Sequence, residues 1–306
     1  MLNYKVYGLI GVESKLSNWN ADFTGNPRSM TNGVIYGTDK ALKYAIRNYW
    51  DLQGKELFVY KKLHNVKEKL IPMTLSDKYI SKYGEIKDSK SLLTNLFSII
   101  DIKQFGVAFA LKNWNISING AVQIGQGLNK LDKNYTIEQE ILSPFASSNE
   151  KTQSTTGIQI IVEHCCYMYP FIINPLVYNK FMELGVTDGY LEEDFENFKG
   201  AALNAVSELN SCSKFGCNNN FVLFIKSDLK KYLPPLDSFI NIKESDNGMV
   251  ITLKIKEVLS GNEKIEIYYN NLQDKLITDI EKYDYFSFHK NRSLLFLQYM
   301  IIIKDK

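Results

Sequence analysis

From Asn18 to Trp50 the chain reads NWNADFTGNPRSMTNGVIYGTDKALKYAIRNYW, a polar loop punctuated by glycine and proline that runs directly into a helix with two chemically different faces. Thr38 is placed to cap that helix, because a short hydroxyl at the N-cap accepts from a free first-turn N–H; Asp39 follows where negative charge complements the helix dipole. Over the next three turns Leu42, Ala45, Ile46 and Tyr49 form one apolar stripe. Lys40, Lys43 and Arg47 fall together on the opposite side at helical spacing, pointing away from the stripe, so charge reversal at Lys43 and Arg47 is expected to leave the fold intact. Asn18, Asn20, Asn26, Arg28 and Ser29 offer short side chains and exposed backbone groups suited to phosphate and ribose oxygens, which gives loop and helix the make-up of an RNA-backbone clamp. The same division of charge is also what any solvated surface helix shows.

Bulk charge does not announce a nucleic-acid binder. The net charge is +2 over 306 residues, so an RNA site has to be a local patch on a near-neutral surface. Residues 1–50 hold six Lys and Arg against three Asp and Glu, a local excess of the right sign. That length suits two domains or one elaborated domain with a substantial core.

The four cysteines, Cys165, Cys166, Cys212 and Cys217, form no disulfide framework and are read as reduced. A zinc site would need Cys212 and Cys217, spaced at the loose end of known ligand patterns, to meet the His164–Cys166 cluster in space, and no metal is expected. Cys165 and Cys166 lie in an apolar strand-like run, where alternation sends one inward and one outward. Catalytic constellations are missing as well. Gly120 and Gly125 have the separation of a phosphate-binding loop, but Gln126 stands where its lysine belongs, and Gly125-Gln126-Gly127 lacks the third glycine of a dinucleotide fingerprint. His64, His164 and His289 lie in three separate regions without an H-E-x-x-H pair or a G-x-S-x-G elbow. No cofactor is implied.

Along the chain the elements suggest an α+β fold: a ferredoxin-like, RNA-recognition-motif palm (βαββαβ in outline) carrying insertions, within a single domain over 1–306. Residues 3–13 read as the first strand and 38–50 as the first helix. Residues 51–100 are polar, lysine-rich and helical in pattern, an insertion that interrupts the strand rhythm. Phe105–Leu111 and Asn115–Ile124 read as two strands around a turn at Asn113, placed in the middle of the palm sheet. The interval 126–156 turns polar before strand character resumes at Gly157. A helix from about Gly189 to Asn210 carries the apolar stripe Leu191, Phe195, Phe198, Ala202, Ala205, Val206 and Leu209. Residues 220–306 alternate short strands with turns at Asp246-Asn247-Gly248 and Ser260-Gly261-Asn262, completing or flanking the palm. Met1–Leu9 lacks a signal-peptide pattern, and the apolar run LLFLQYMIII is about half the ~20 residues a membrane helix needs, so a cytoplasmic protein with no membrane partner is expected.

Residues 4–50, with DIKQFGVAFA (Asp101–Ala110), INGAVQIGQGLNK (Ile118–Lys130), LSPFASS (Leu142–Ser148) and TTGIQIIVEHCCYMYPFIINP (Thr155–Pro175) following in order, resemble the crRNA-binding backbone subunit of the type I-B CRISPR interference complex, Cascade. The likeness is most specific in the first and third segments and only in outline over the last third. The resemblance implies a non-catalytic scaffold for antiviral defence that polymerises along crRNA as a helical filament. Its partners would be crRNA, target DNA through guide pairing, further copies of itself head to tail, and other Cascade subunits. It makes 51–100 a finger-like and 126–156 a thumb-like insertion and adds Gln123 and Gln126 to the RNA-contacting set. Ile141, Leu142 and Phe145 become candidates for a wedge that unstacks a base step, against the alternative that they pack into their own domain. A rival follows from the same family: in type III backbone subunits an aspartate of the corresponding loop cuts target RNA, a role Asp22 would take here. A small-molecule enzyme on a ferredoxin-like sheet is a third class, since such sheets host many functions.

Overall fold

A computed structural model describes residues 1–66, 68–111, 114–143, 155–246, 248–269, 274–280 and 286–290. In chain order the elements are β1 (Tyr4–Ser17), β2 (Tyr36–Gly37), α1 (Asp39–Leu52), β3 (Leu63–Val66), β4 (Lys69–Pro72), α2 (Leu75–Tyr83), α3 (Ser89–Phe97) and α4 (Ile100–Phe105). There follow β5 (Gly106–Leu111), β6 (Trp114–Asn119), β7 (Val122–Ile124), β8 (Gly127–Asn129), β9 (Thr136–Ser143), β10 (Thr155–Ile173), α5 (Asn179–Glu183) and α6 (Glu192–Asn204). The last strands are β11 (Cys217–Asp228), β12 (Ile240–Ser245), β13 (Gly248–Leu253), β14 (Lys264–Tyr269), β15 (Lys275–Thr278) and β16 (Phe286–Lys290).

The fold is mixed α+β around a mainly antiparallel sheet. Strand β1 is its centre, paired antiparallel with β10 from Val6↔Ile173 to Ser17↔Val162 and with β11 from Tyr4↔Asp228 to Ser14↔Cys217. The sheet runs β16-β14-β11-β1-β10-β8-β2, and β7 and β9 also pair with β10. Helices α1 and α6 cover one face, where Val6, Ile10, Tyr167, Tyr169, Phe171 and Phe224 meet Leu42, Ile46, Phe195 and Phe198. The other face, with Tyr7, Leu9, Cys166, Met168, Leu223 and Ile225, is covered by the three-stranded sheet β12-β13-β15. Burial on both sides explains why β1 reads as an unbroken apolar run rather than an alternation. It also corrects the expectation for the adjacent cysteines: Cys165 and Cys166 do point to opposite faces, but both faces are dry and both thiols are fully buried. Burial pushes the Cys165 thiol up to about 11, so neither is poised to react.

Two further differences from the sequence reading have a topological cause. β5 and β6 form a hairpin sheet of their own instead of joining the large sheet, and β7 alone continues onto β10. The break falls at Gly120, whose Cα packs against the backbone of Phe105 and Gly106 so closely that a side chain there has no room. Asn113, proposed as the turn of that hairpin, lies outside the described residues, as does Asn247. Residues 51–100 contain the β3–β4 hairpin as well as helices, and Phe58, Tyr79, Leu92, Leu96 and Phe97 enter the same core as α1. α6 buries Phe195, Phe198, Ala201 and Ala202, and Ala205, Val206 and Leu209 just beyond it.

A charged clasp joins the two sheets. His164 on β10 has Nε2 at 3.0 Å from Glu13 of β1 and Nδ1 at 2.5 Å from Glu244 of β12. Although burial raises a carboxylate, hydrogen bonds from His164 and Lys15 hold Glu13 down at about 2.

The join between loop and α1 depends on one close approach. Trp19 Nε1 donates to the Tyr169 hydroxyl, and both side chains lie against Gly37, where a Cβ would overlap the hydroxyl and the indole. Gly37→Ala should therefore destabilise the chain by about 1–3 kcal/mol, the usual cost of overpacking, read as a lower urea midpoint with an unchanged slope.

Candidate functional site

The loop between β1 and β2 is a folded unit. Bridges at Ala21↔Pro27 and Ser29↔Ile35 close two successive turns. Asp22 organises the first: one carboxylate oxygen accepts from Thr24 N (2.9 Å), Thr24 Oγ1 (2.7 Å) and Asn26 N (3.0 Å), while Gly25 N returns to Asp22 O. The Thr24 hydroxyl, aided by those backbone amides, holds the Asp22 carboxyl below its ordinary range. Asn26 Nδ2 donates to Thr24 Oγ1 at 2.7 Å. The asparagines that flank the loop are structural. Asn18 is buried and donates through Nδ2 to Gly25 O (3.0 Å) and Ile160 O (2.9 Å), tying loop to β10. Asn20 Oδ1 accepts from Thr38 N at 2.8 Å, fixing the residue that caps α1 through Ala41 N.

These ties leave a polar hollow of about 500 Å³ lined by Asp22, Asn26, Arg28, Ser29, Asn134 and Thr136, among others. Arg28 contributes the cation. Its Nε is buried without a hydrogen-bond partner, and its backbone is held on both sides by Asn20 O and Tyr36 N. Asn134 and Thr136 come from the β8–β9 connection and the start of β9. Asn134 Oδ1 accepts from Ile35 N at 2.9 Å, and Asn129 N donates to Ile35 O at 3.0 Å, which closes the hollow. The sequence reading did not find these two residues. Nothing local marks them, since their place depends on β8 pairing with β2 about ninety positions earlier in the chain. What remains is a cavity with guanidinium, hydroxyl and amide donors around one restrained carboxylate, suited to an oxygen-rich anionic ligand.

The helix departs from its sequence reading. Lys40 is exposed, its ammonium 3.5 Å from Asp39. Lys43 is mostly covered and bonds Asp39 at 3.0 Å, and Arg47 is covered more deeply, bonding the fully buried Asp101 at 2.9 Å. Both lie over the Phe105 ring. Asp101 also accepts from Phe58 N (2.8 Å) and Val59 N (2.9 Å), so Arg47 is part of the staple that fastens residues 58–59 to α1. The expectation of three cations pointing together into solvent is corrected: among these three, Lys40 alone is highly exposed. Gln126 braces the N-terminus of α1, accepting from Asp39 N at 3.3 Å and donating to Asp39 Oδ1 at 3.2 Å. Gln123 donates to Gly120 O and lines a different, apolar groove of about 340 Å³ with Ile124, Pro170, Tyr232 and Leu233.

The ribbon of β9 and the first half of β10 carries Ile141 and Leu142, both exposed, so neither packs into a core. Being consecutive, paired with Gly157 and Thr156, they point to opposite faces of the ribbon and cannot act together on one base step. Leu142 shares its face with exposed Ile158, two positions from Thr156. Phe145 lies outside the described residues. Among the described residues no cluster of His, Cys, Asp or Glu could hold a metal ion, and no helix is long and apolar enough to cross a membrane.

A family model described as CRISPR-associated protein Cas7 matches residues 4–264. Among solved structures, a chain of a "CRISPR RNA-guided surveillance complex, pre-nicking" is similar at 11% identity and TM-score 0.52, covering 97% of this chain and 99% of that one. A chain of a "CRISPR RNA-guided surveillance complex" aligns over the same shares at 11% identity and TM-score 0.49. No curated protein sequence matches.

The Arg47–Asp101 staple yields a stability test. Arg47→Glu puts a second carboxylate against a buried one and should cost about 3–5 kcal/mol, the loss typical of breaking a buried ion pair. Lys40→Glu should stay within about 0.5 kcal/mol, as surface substitutions do. Thermal melts followed by circular dichroism would separate the two; equal melts would show that Asp101 is not held as described.

Proposed function

Because this chain belongs to the CRISPR-associated Cas7 family, whose model spans most of it, we propose that it is a backbone subunit of a CRISPR RNA-guided surveillance complex, of the type I-B class its sequence resembles. It binds crRNA along the phosphate backbone and holds the bases open for pairing with target DNA. The observation that carries the reading is the polar hollow at the loop, which Arg28 lines together with Ser29, Asn26, Asn134 and Thr136. A guanidinium lining a hollow among hydroxyls and amides fits a phosphodiester, and such contacts position RNA without reading its sequence. Lys40 adds an exposed cation in the first turn of α1, two residues past its cap.

In this reading the strands β11-β1-β10-β7, with α1 following β1 and α6 preceding β11, are a ferredoxin-like, RNA-recognition-motif palm. Residues 51–100 belong to its finger, and the β9–β10 ribbon is its thumb. Identical copies meet head to tail, a heterologous contact that generates an open helix along the guide. The ribbon reaches the next copy with Leu142 and Ile158 on one face and Ile141 on the other. Other subunits of the complex bind the same filament, in the cytoplasm.

The chain acts as a scaffold. Asp22 has one oxygen engaged by three hydrogen bonds of its own turn, which suits a loop-forming residue. The assembled complex should leave complementary RNA uncut with or without divalent metal, for the wild-type chain and Asp22→Ala alike. Cleavage at regular intervals, abolished by that substitution, would make the ribonuclease reading the correct one.

The clamp itself is tested at Arg28. Arg28→Gln should weaken binding of single-stranded RNA about tenfold in gel shifts and lower the slope of log affinity against log salt by about 0.7, the value for one phosphate of a single strand left unneutralised. Circular dichroism should be unchanged. Wild-type affinity and slope in the variant would remove the hollow from the RNA path.

A further inference from the structure

The turn that Asp22 builds presents an aromatic ring. Phe23 is the second residue of the β-turn Asp22–Gly25, closed by Gly25 N to Asp22 O, and Gly25 takes the positive φ of +89° that ends it. The turn is fixed from within by the three hydrogen bonds on Asp22 Oδ1 and by Asn26 Nδ2 on Thr24 Oγ1, and from below by Asn18 Nδ2 on Gly25 O. At its tip Phe23 is 104% exposed, the most exposed of the large apolar side chains described. A turn so thoroughly hydrogen-bonded holds a phenyl ring in water with no protein surface against it. Asp22, immediately before the ring in sequence, and Asn26, three residues after it, line the hollow that Arg28 also lines.

We infer that Phe23 is a stacking platform for a nucleobase of the strand whose phosphate lies in the Arg28 hollow; this rests on the RNA-binding reading above. Proteins that hold single strands without sequence preference pair a cationic seat for the backbone with an aromatic face for a base, because every base has a π-face. Here both parts belong to one short hairpin, Ala21 to Pro27 and its continuation to Arg28, so seat and platform are positioned by the same hydrogen bonds. The ring is held ready for its ligand, and stacking needs no rearrangement of the loop. The ligand class is a purine or pyrimidine within a single strand. The contact is independent of sequence, as a guide carrier requires.

The test uses the full chain and an oligoadenylate containing 2-aminopurine. Phe23→Leu keeps the apolar bulk and removes the flat ring. It should weaken binding about tenfold and abolish the 2-aminopurine emission change, while leaving the salt slope at its wild-type value, because the same phosphates are still neutralised. Phe23→Trp should restore affinity, with indole emission quenched as RNA is added. A Phe23→Leu chain that binds as wild type, or a Phe23→Trp chain whose indole is unchanged in the bound state, would overturn the platform and leave the Arg28 clamp standing. Failure of the wild-type chain to bind the probe with any salt dependence would overturn both.

Discussion

Everything in this molecule hangs on the pairing of β1 between β10 and β11. Nine of its residues, Val6 to Ser14, are paired on both edges, and all nine are buried. A strand covered on both sides tolerates no register slip, since a shift of one residue would exchange the side chains facing α1 and α6 with those facing the second sheet. Gly8 and Gly11 lie where Phe171, Leu223 O and Asn220 crowd the strand, so the register is set by shape as well as by hydrophobicity. The end of this strand fixes where the loop begins, and the loop carries the candidate site.

Charge is deployed mainly to hold the structure together. Arg47 is committed to Asp101, Lys43 to Asp39, Lys103 to Asp194, and Lys199 to Glu266. In a chain of net charge +2, cations engaged this way do not project a field far from the surface, and screening shortens its reach further. In the proposed role, attraction of a polyanion would then depend on a few groups such as the exposed Lys40 and Arg28 at the hollow, and on the hydroxyls and amides around them. Repetition along a filament of copies would multiply a weak contact of this kind, because each added copy binds at a high effective concentration.

The loop follows the same economy. Asn18 and Asn20 anchor it to β10 and to the helix cap, Asp22 folds its tip, and Trp19 docks it on Tyr169 beside Gly37. Of the polar residues in the Asn-rich stretch, these hold the shape, while Arg28 and Ser29 are turned to the hollow. A loop built this way presents its donors at fixed positions, so binding loses little conformational freedom.

The features legible in the residues alone are local ones. The cap at Thr38, the stripe of Leu42, Ala45 and Ile46, and the apolar face of α6 are set by spacing within a few residues, where helical period and hydrogen-bonding chemistry act directly. The extended run of β1 and the polar character of the loop were readable for the same reason. Packing between distant segments settled which of those polar groups are free. Lys43 and Arg47 have the same helical phase as Lys40, yet Arg47 is taken by an aspartate fifty-four positions away, and the periodicity of α1 holds no trace of that partner. Asn134 and Thr136 enter the hollow only because β8 lies beside β2, and Cys165 and Cys166 are both buried only because a second sheet covers the outer face. Ile141 and Leu142 read as one wedge in the sequence and fall on opposite sides of a ribbon once its register exists. Pairing and burial between distant segments follow from the spatial order of strands in the sheet, and that order is a property of the whole chain.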